Sequence, residues 1–243
     1  MKVAVVTAGI GHHYPRGVAR LIQDFEKHSP GYQITAWVNT PPPGAPERVI
    51  ENGFDYTGYC AKPFAMLEAM RQGADVVLWL DASVRPVRNI APLVDHICAA
   101  GAYMAPTGFS IGEWSSDRCL ESLLMERGGW MDKPECASGI VGVDVRWAGP
   151  RLMIEEWARM WRLFPGHHSN VNAADKKHHY RNVGHVSDDP RCSGHRQDQT
   201  ILSILAHRYD LNKFVPWPKF VAYAAGHGGA ANESTCLLID GLA

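Results

Sequence analysis

The feature that most constrains the fold is an alternation, across the first hundred residues, of short β-rich runs with helical patterns. Lys2 to Ala8 is β-branched and ends in Thr7-Ala8-Gly9. Val18, Leu21, Ile22 and Phe25 follow at i, i+3, i+4, i+7, the spacing of one helix face. Gln33 to Val38 is a second strand run, closed by Asn39-Thr40 and the breaker Pro41-Pro42-Pro43-Gly44. Ala61 to Arg71 predicts a helix, with Pro63 in the first turn, where its missing N–H costs little. Asp75 to Leu80 is apolar almost throughout, the pattern of a strand covered on both faces. Asn89 to Cys98 is again helical.

Strands alternating with helices predict an α/β fold, with a mixed, mostly parallel sheet flanked by helices. Ligands of such sheets bind beyond the carboxyl ends of the strands, where loops and helix N-termini converge. The residues to inspect are therefore Thr7, Ala8 and Gly9, then Asn39 and Thr40, then Asp81, Ala82 and Ser83. All are small or polar, as a nucleotide cleft requires.

The second half is less regular. Ser116 to Arg127 predicts a helix, Ala137 to Val143 a strand, Arg151 to Leu163 a helix and Gln197 to His207 another. Phe214 to Tyr223 reads as strand and turn. Pro165 to Arg196 has no sustained periodicity, and a loop of that length inside a domain usually has a task. The chain reads as one domain, residues 1–243, with a nucleotide-binding half over about 1–110 and an acceptor half over about 111–243.

Bulk properties remove several classes. The formal net charge is -1, which argues against a wholesale polyanion binder. Six cysteines lie scattered without a C-x-x-C pair, so zinc ribbons and thioredoxin-like chemistry are not indicated. The apolar run near Met1 is too short for a signal-peptide core or a membrane span, so a cytoplasmic location is expected. G-x-G-x-x-G and G-x-x-x-x-G-K-[ST] are both missing, against dehydrogenases and P-loop proteins.

Four segments carry candidate chemistry. Asp81 ends a buried run beside Ala82 and Ser83, where its carboxylate could reach a divalent cation or a ribose hydroxyl; capping the following turn would also explain it. Lys62 in the first turn of a helix strengthens the positive end of the helix dipole, though a solvated surface lysine is the plainer alternative. Ser138 and Gly139 lead into an apolar strand and allow close approach to the backbone. Asp198 lies three and four residues before Ile201 and Leu202, which places it on a buried stripe at a helix start. Such an acid is either a helix stabiliser or a catalytic group. His195 and Arg196 precede it.

In this order the segments resemble the GT-A glycosyltransferases, whose D-x-D region follows an apolar strand. Here Ser83 stands where the second acid would be. The resemblance implies a nucleotide-sugar donor held by Thr7, Ala8, Gly9, Lys62, Asp81, Ser83, Ser138, Gly139, His195 and Arg196, with Asp198 catalytic. It also implies a divalent cation, Mn²⁺ or Mg²⁺, on Asp81, with His227 from the glycine-flanked tail as a further ligand. The acceptor could be a glycan, a small molecule or, given Lys176, Lys177, Arg181, Arg191 and Arg196, a phage-type hydroxymethylated DNA base. A nucleotidyltransferase using Gly9-Ile10-Gly11 and Arg16, or a non-catalytic carbohydrate-binding protein on a degenerate transferase fold, are the competing readings.

Overall fold

The computed structural model describes residues 1–9, 14–38, 49–51, 61–163, 187–216, 219–223 and 237–240. In chain order these form β1 (Val3–Gly9), α1 (Tyr14–His28), β2 (Ile34–Val38), β3 (Val49–Glu51), α2 (Ala61–Arg71), β4 (Val76–Leu80), β5 (Arg85–Pro86) and α3 (Ala91–Ala100). There follow β6 (Ala102–Tyr103), β7 (Pro106–Ser110), α4 (Asp117–Ser122), a 3₁₀ turn (Arg127–Trp130), β8 (Pro134–Cys136), β9 (Ile140–Asp144) and α5 (Ala148–Leu163). The last elements are α6 (Asp198–Arg208), β10 (Val221–Tyr223) and β11 (Leu238–Asp240).

The main sheet has six strands in the order β3-β2-β1-β4-β9-β6. From β3 to β4 they run parallel, while β9 is antiparallel to both β4 and β6. The expected α/β architecture with a mixed, mostly parallel sheet is therefore present. Successive side chains along a strand point to opposite faces, and the core divides on that rule. Val76, Leu78 and Leu80 face a cluster containing Val18, Leu21, Phe25, Leu93 and Ile97 from α1 and α3. Val77 and Trp79 face a second cluster built from α2, α5 and α6, including Met66, Trp157 and Leu205.

The antiparallel β9 has a consequence for function. Leu80 pairs with Ile140, so the start of β9 lies at the same sheet edge as the carboxyl end of β4. The Asp81 N–H donates to the Gly139 carbonyl at 2.8 Å, which fixes the two loops together. On the other face α1 presses against the Asp81-Ala82-Ser83 turn. A Cβ at Gly17 would fall 2.6 Å from the Ala82 carbonyl oxygen, so this approach requires glycine.

Several elements depart from sequence expectation. The helix predicted over Ser116–Arg127 stops at Ser122. Ser116 caps its start by accepting from the Cys119 N–H, but Leu124 adopts a left-handed φ of 56° and breaks it. The strand predicted over Ala137–Val143 begins only at Ile140, because residues 137–139 form the site-facing loop. Among the described residues of Phe214–Tyr223 only Val221–Tyr223 is strand. Helix α6 shows more than the predicted stripe: Thr200 through Ala206 are all buried, since α5 and β8 cover it on separate sides. Of the predicted loop Pro165–Arg196, residues 187–196 carry neither helix nor strand, and 165–186 lie outside the described residues, as do Asn39, Thr40 and His227. No described helix is long and apolar enough to cross a membrane.

Candidate active site

Period-two alternation puts Asp81 on the same sheet face as Trp79, two residues before it. That face is covered by α2 and α5, with α6 packed beside them on α5 and β8, and α2 and α6 each bring one charged residue in the first turn. Lys62 enters from α2 and Asp198 from α6. The three groups meet. Lys62 Nζ lies 3.1 Å from Asp81 Oδ1 and 3.0 Å from Asp198 Oδ2. It also donates to Ser138 Oγ at 3.0 Å and to the Ser138 carbonyl at 3.3 Å. Trp79 Nε1 donates to Asp81 Oδ1 at 2.7 Å.

Burial alone would lower the Lys62 pKa, but the adjacent Asp198 and then Asp81 carboxylates outweigh it and hold the pKa above its ordinary value. Lys62 is therefore a permanent ammonium near neutral pH: a counter-ion and hydrogen-bond donor, unsuited to act as a nucleophile or base. The cluster is graded in exposure. The Asp198 side chain is 3% exposed, whereas that of Asp81 is 33% exposed and forms the wet rim. Two carboxylates to one ammonium give the group a formal charge of one negative unit, with hydrogen-bond donors and acceptors interleaved.

A second polar group adjoins it through Gln199, whose Oε1 accepts from the Ser138 N–H at 3.3 Å. Arg196 pairs with Glu135 at 3.1 Å, and Thr107 Oγ1 donates to the same carboxylate oxygen at 3.0 Å. Glu135 is fully buried, which pushes its pKa up to about 7 against the opposing influence of Arg196 and Thr107. Between the two groups lies Gln197, buried and held at φ 44°, a left-handed conformation costly for a residue with a side chain. This strained link lets Arg196 and Asp198, two residues apart, serve different clusters.

The remaining candidates are placed as follows. Thr7 is fully buried and by alternation faces the α1 layer, while Ala8 packs on the Lys62 side of the sheet. Gly9 ends β1 at the same edge. Ser83 lies in the turn after Asp81, where its carbonyl accepts from Arg20 at 3.4 Å. Ser138 and Gly139 line the cluster as described. His195 is buried and its Nδ1 accepts from the Ser116 N–H at 3.3 Å, so it fastens the cap of α4.

A divalent cation on Asp81 is chemically reasonable, because Asp81 is a partly exposed carboxylate in a group with excess negative charge. Among the described residues no three His, Cys, Asp or Glu side chains converge on one point. Of the two expected ligands Asp81 is the one among the described residues, and His227 lies outside them.

Sequence reasoning passed over Trp79, Gln199 and Glu135 as site residues. The signals were present: Trp79 stands at i−2 from Asp81, Gln199 follows Asp198, and Glu135 opens the segment leading to Ser138. No protein-family model matches the chain, and no curated protein matches it.

Proposed function

We propose that the chain is a glycosyltransferase that moves a sugar from a nucleotide-sugar donor to a hydroxyl acceptor, on a GT-A-like scaffold. The observation that carries this reading is the meeting of Asp81, Lys62 and Asp198 at the carboxyl edge of a mostly parallel sheet. A single ammonium between two carboxylates, with the Ser138 hydroxyl beside it, suits a ring of sugar hydroxyls. Each hydroxyl both donates and accepts, so carboxylates and ammonium can be satisfied together. A bare polyphosphate suits it less, because the group is already net negative.

In this reading the sugar ring lies against Lys62 and Asp198, with the nucleotide along the ends of β1 and β4. A divalent cation held in part by Asp81 would supply charge that offsets the departing diphosphate. The bond from the anomeric carbon to the diphosphate oxygen breaks, and a bond to the acceptor oxygen forms. The acceptor's proton passes to the Asp198 carboxylate as general base. Lys62 orients that carboxylate through their contact at 3.0 Å.

The test has two parts. A thermal-shift panel of nucleotide sugars, with and without Mn²⁺, should yield at least one stabilising donor, since a ligand that binds only the folded state raises Tm. Asp198→Asn should then reduce turnover of that donor by roughly 10²- to 10⁴-fold, the range for loss of a general base. Undiminished turnover in Asp198→Asn, or no response to any nucleotide sugar, ends the proposal.

A further inference from the structure

The polar group around Arg196 contains a surface that the donor chemistry does not use. Phe109, on β7, is a large hydrophobic side chain left 40% exposed. Its ring lies 5.4 Å from that of Trp114, edge to face, and the Arg196 guanidinium stacks 4.6 Å from the first ring and 4.3 Å from the second. This assembly is tied to the turn that carries Asp198. The Trp114 carbonyl accepts from the Arg196 N–H at 3.2 Å and from Thr200 Oγ1 at 2.8 Å, so its backbone brackets the first turn of α6.

We propose that Phe109 and Trp114 form the acceptor platform of this site, and that the unit seated there is an uncharged pyranose of a glycan. The inference rests on the transferase reading and deepens it by naming the acceptor class. Three observations carry it. An exposed aromatic ring offers an apolar face to the C–H face of a sugar, and the rigid ring loses little conformational entropy on binding. The platform stands beside the turn of the proposed base, where an acceptor hydroxyl must arrive.

The third is charge. Among the described residues the cation at this surface is Arg196, whose ion pair with the buried Glu135 is complete once that acid ionises, above about 7. Above that pH an anionic acceptor would find no spare positive charge in the pair. Arg191, another of the basic residues that suggested nucleic acid, is likewise paired with Asp189, at 2.6 Å. The chemistry therefore favours a neutral ring over a phosphate backbone or a uronic acid.

Saturation-transfer NMR on the intact chain would test this with neutral methyl hexopyranosides and oligosaccharides, the matching uronic acids, and a short DNA duplex. The expected result is binding of neutral sugars, weakened at least about 10-fold in Phe109→Ala and retained in Phe109→Trp. Both substitutions are at an exposed position. In Phe109→Ala the thermal shift by nucleotide sugars should be unchanged. The proposal is overturned if no neutral sugar binds, if Phe109→Ala binds them as well as the parent, or if uronic acids or DNA bind more tightly. Sugar binding at Phe109 in a chain that answers to no nucleotide sugar would uphold the platform and remove the transferase reading instead.

Discussion

Two buried ionic groups meet at the start of α6, and they differ in the balance between charge and water. Around Lys62 one cation faces two carboxylates, and Asp81 remains a third exposed. Around Glu135 one carboxylate faces one cation, and no part of the acid reaches solvent. In the first group Coulomb attraction outweighs desolvation and Lys62 stays charged. In the second desolvation outweighs attraction, and Glu135 titrates near neutrality at about 7. Proximity of opposite charges does not by itself decide protonation; the number of counter-charges and the route to water do. The first arrangement leaves a charged, partly wet surface for a ligand. The second is internal scaffolding for Arg196 and the aromatic rings it supports.

The largest effect that separates the two groups should come from removing the cation of the first. Lys62→Met keeps most of the buried stem but leaves Asp81 and Asp198 facing each other without a counter-ion. Breaking a buried pair by deleting one partner costs about 3–5 kcal/mol, because an uncompensated charge stays buried. Urea denaturation at pH 7 should show a loss in that range. A loss below about 1 kcal/mol would mean that the Lys62 group behaves as a surface ion pair.

Glu135→Gln should act more weakly and in a pH-dependent way. The folded chain holds the Glu135 proton up to about 7, whereas the ordinary carboxyl value is 4.5. Between those values the folded state binds more protons than the unfolded one, so stability contributed by this group is full below 4.5 and falls as pH rises through 7. The separation corresponds to roughly 3 kcal/mol across that interval. Tm of the parent, followed from pH 4.5 to pH 8, should carry this decline. Glu135→Gln should flatten it and be the more stable protein at the alkaline end. A pH profile identical in both proteins would show that Glu135 is ionised throughout.

The contrast between regular and irregular parts of the chain decides how much could be read beforehand. Helices α1 and α2 and strands β1, β2 and β4 were legible, because each buries a periodic set of side chains against one layer or lies between two. The strand-end rule pointed to Asp81 alone, and the meeting of Lys62, Asp81 and Asp198 was expected only from the glycosyltransferase resemblance. The β7–β8 pair was not legible. Its strands are bounded by Pro106 and Pro134, and the residues of β7 are at most half-buried, so no alternation marks them. The platform was hidden for the same reason: Phe109, Trp114, Glu135 and Arg196 meet through tertiary contacts between irregular segments. Strain at Gln197 likewise has no signature in a sequence.

The smallest effect concerns how the first group is held in register. Trp79 is an apolar side chain of the inner face whose indole N–H is spent on Asp81 Oδ1, at 2.7 Å. Trp79→Phe would leave the aromatic packing largely filled while removing that donor. Hydrogen bonds to charged groups contribute about 1.5–3 kcal/mol, and partial exposure of Asp81 lets water replace part of it, so a stability loss of about 1 kcal/mol is expected. The functional effect should exceed the structural one, because Asp81 loses the Trp79 donor on Oδ1, the shortest of its described contacts, and keeps the Lys62 ammonium across its two oxygens. The nucleotide-sugar Kd should weaken by about three- to tenfold, with the neutral-sugar affinity of the Phe109 surface untouched. If both affinities weaken together, the two groups are mechanically coupled through Ser138 and Gln199, and the division between a ligand-facing cluster and an internal scaffold does not hold.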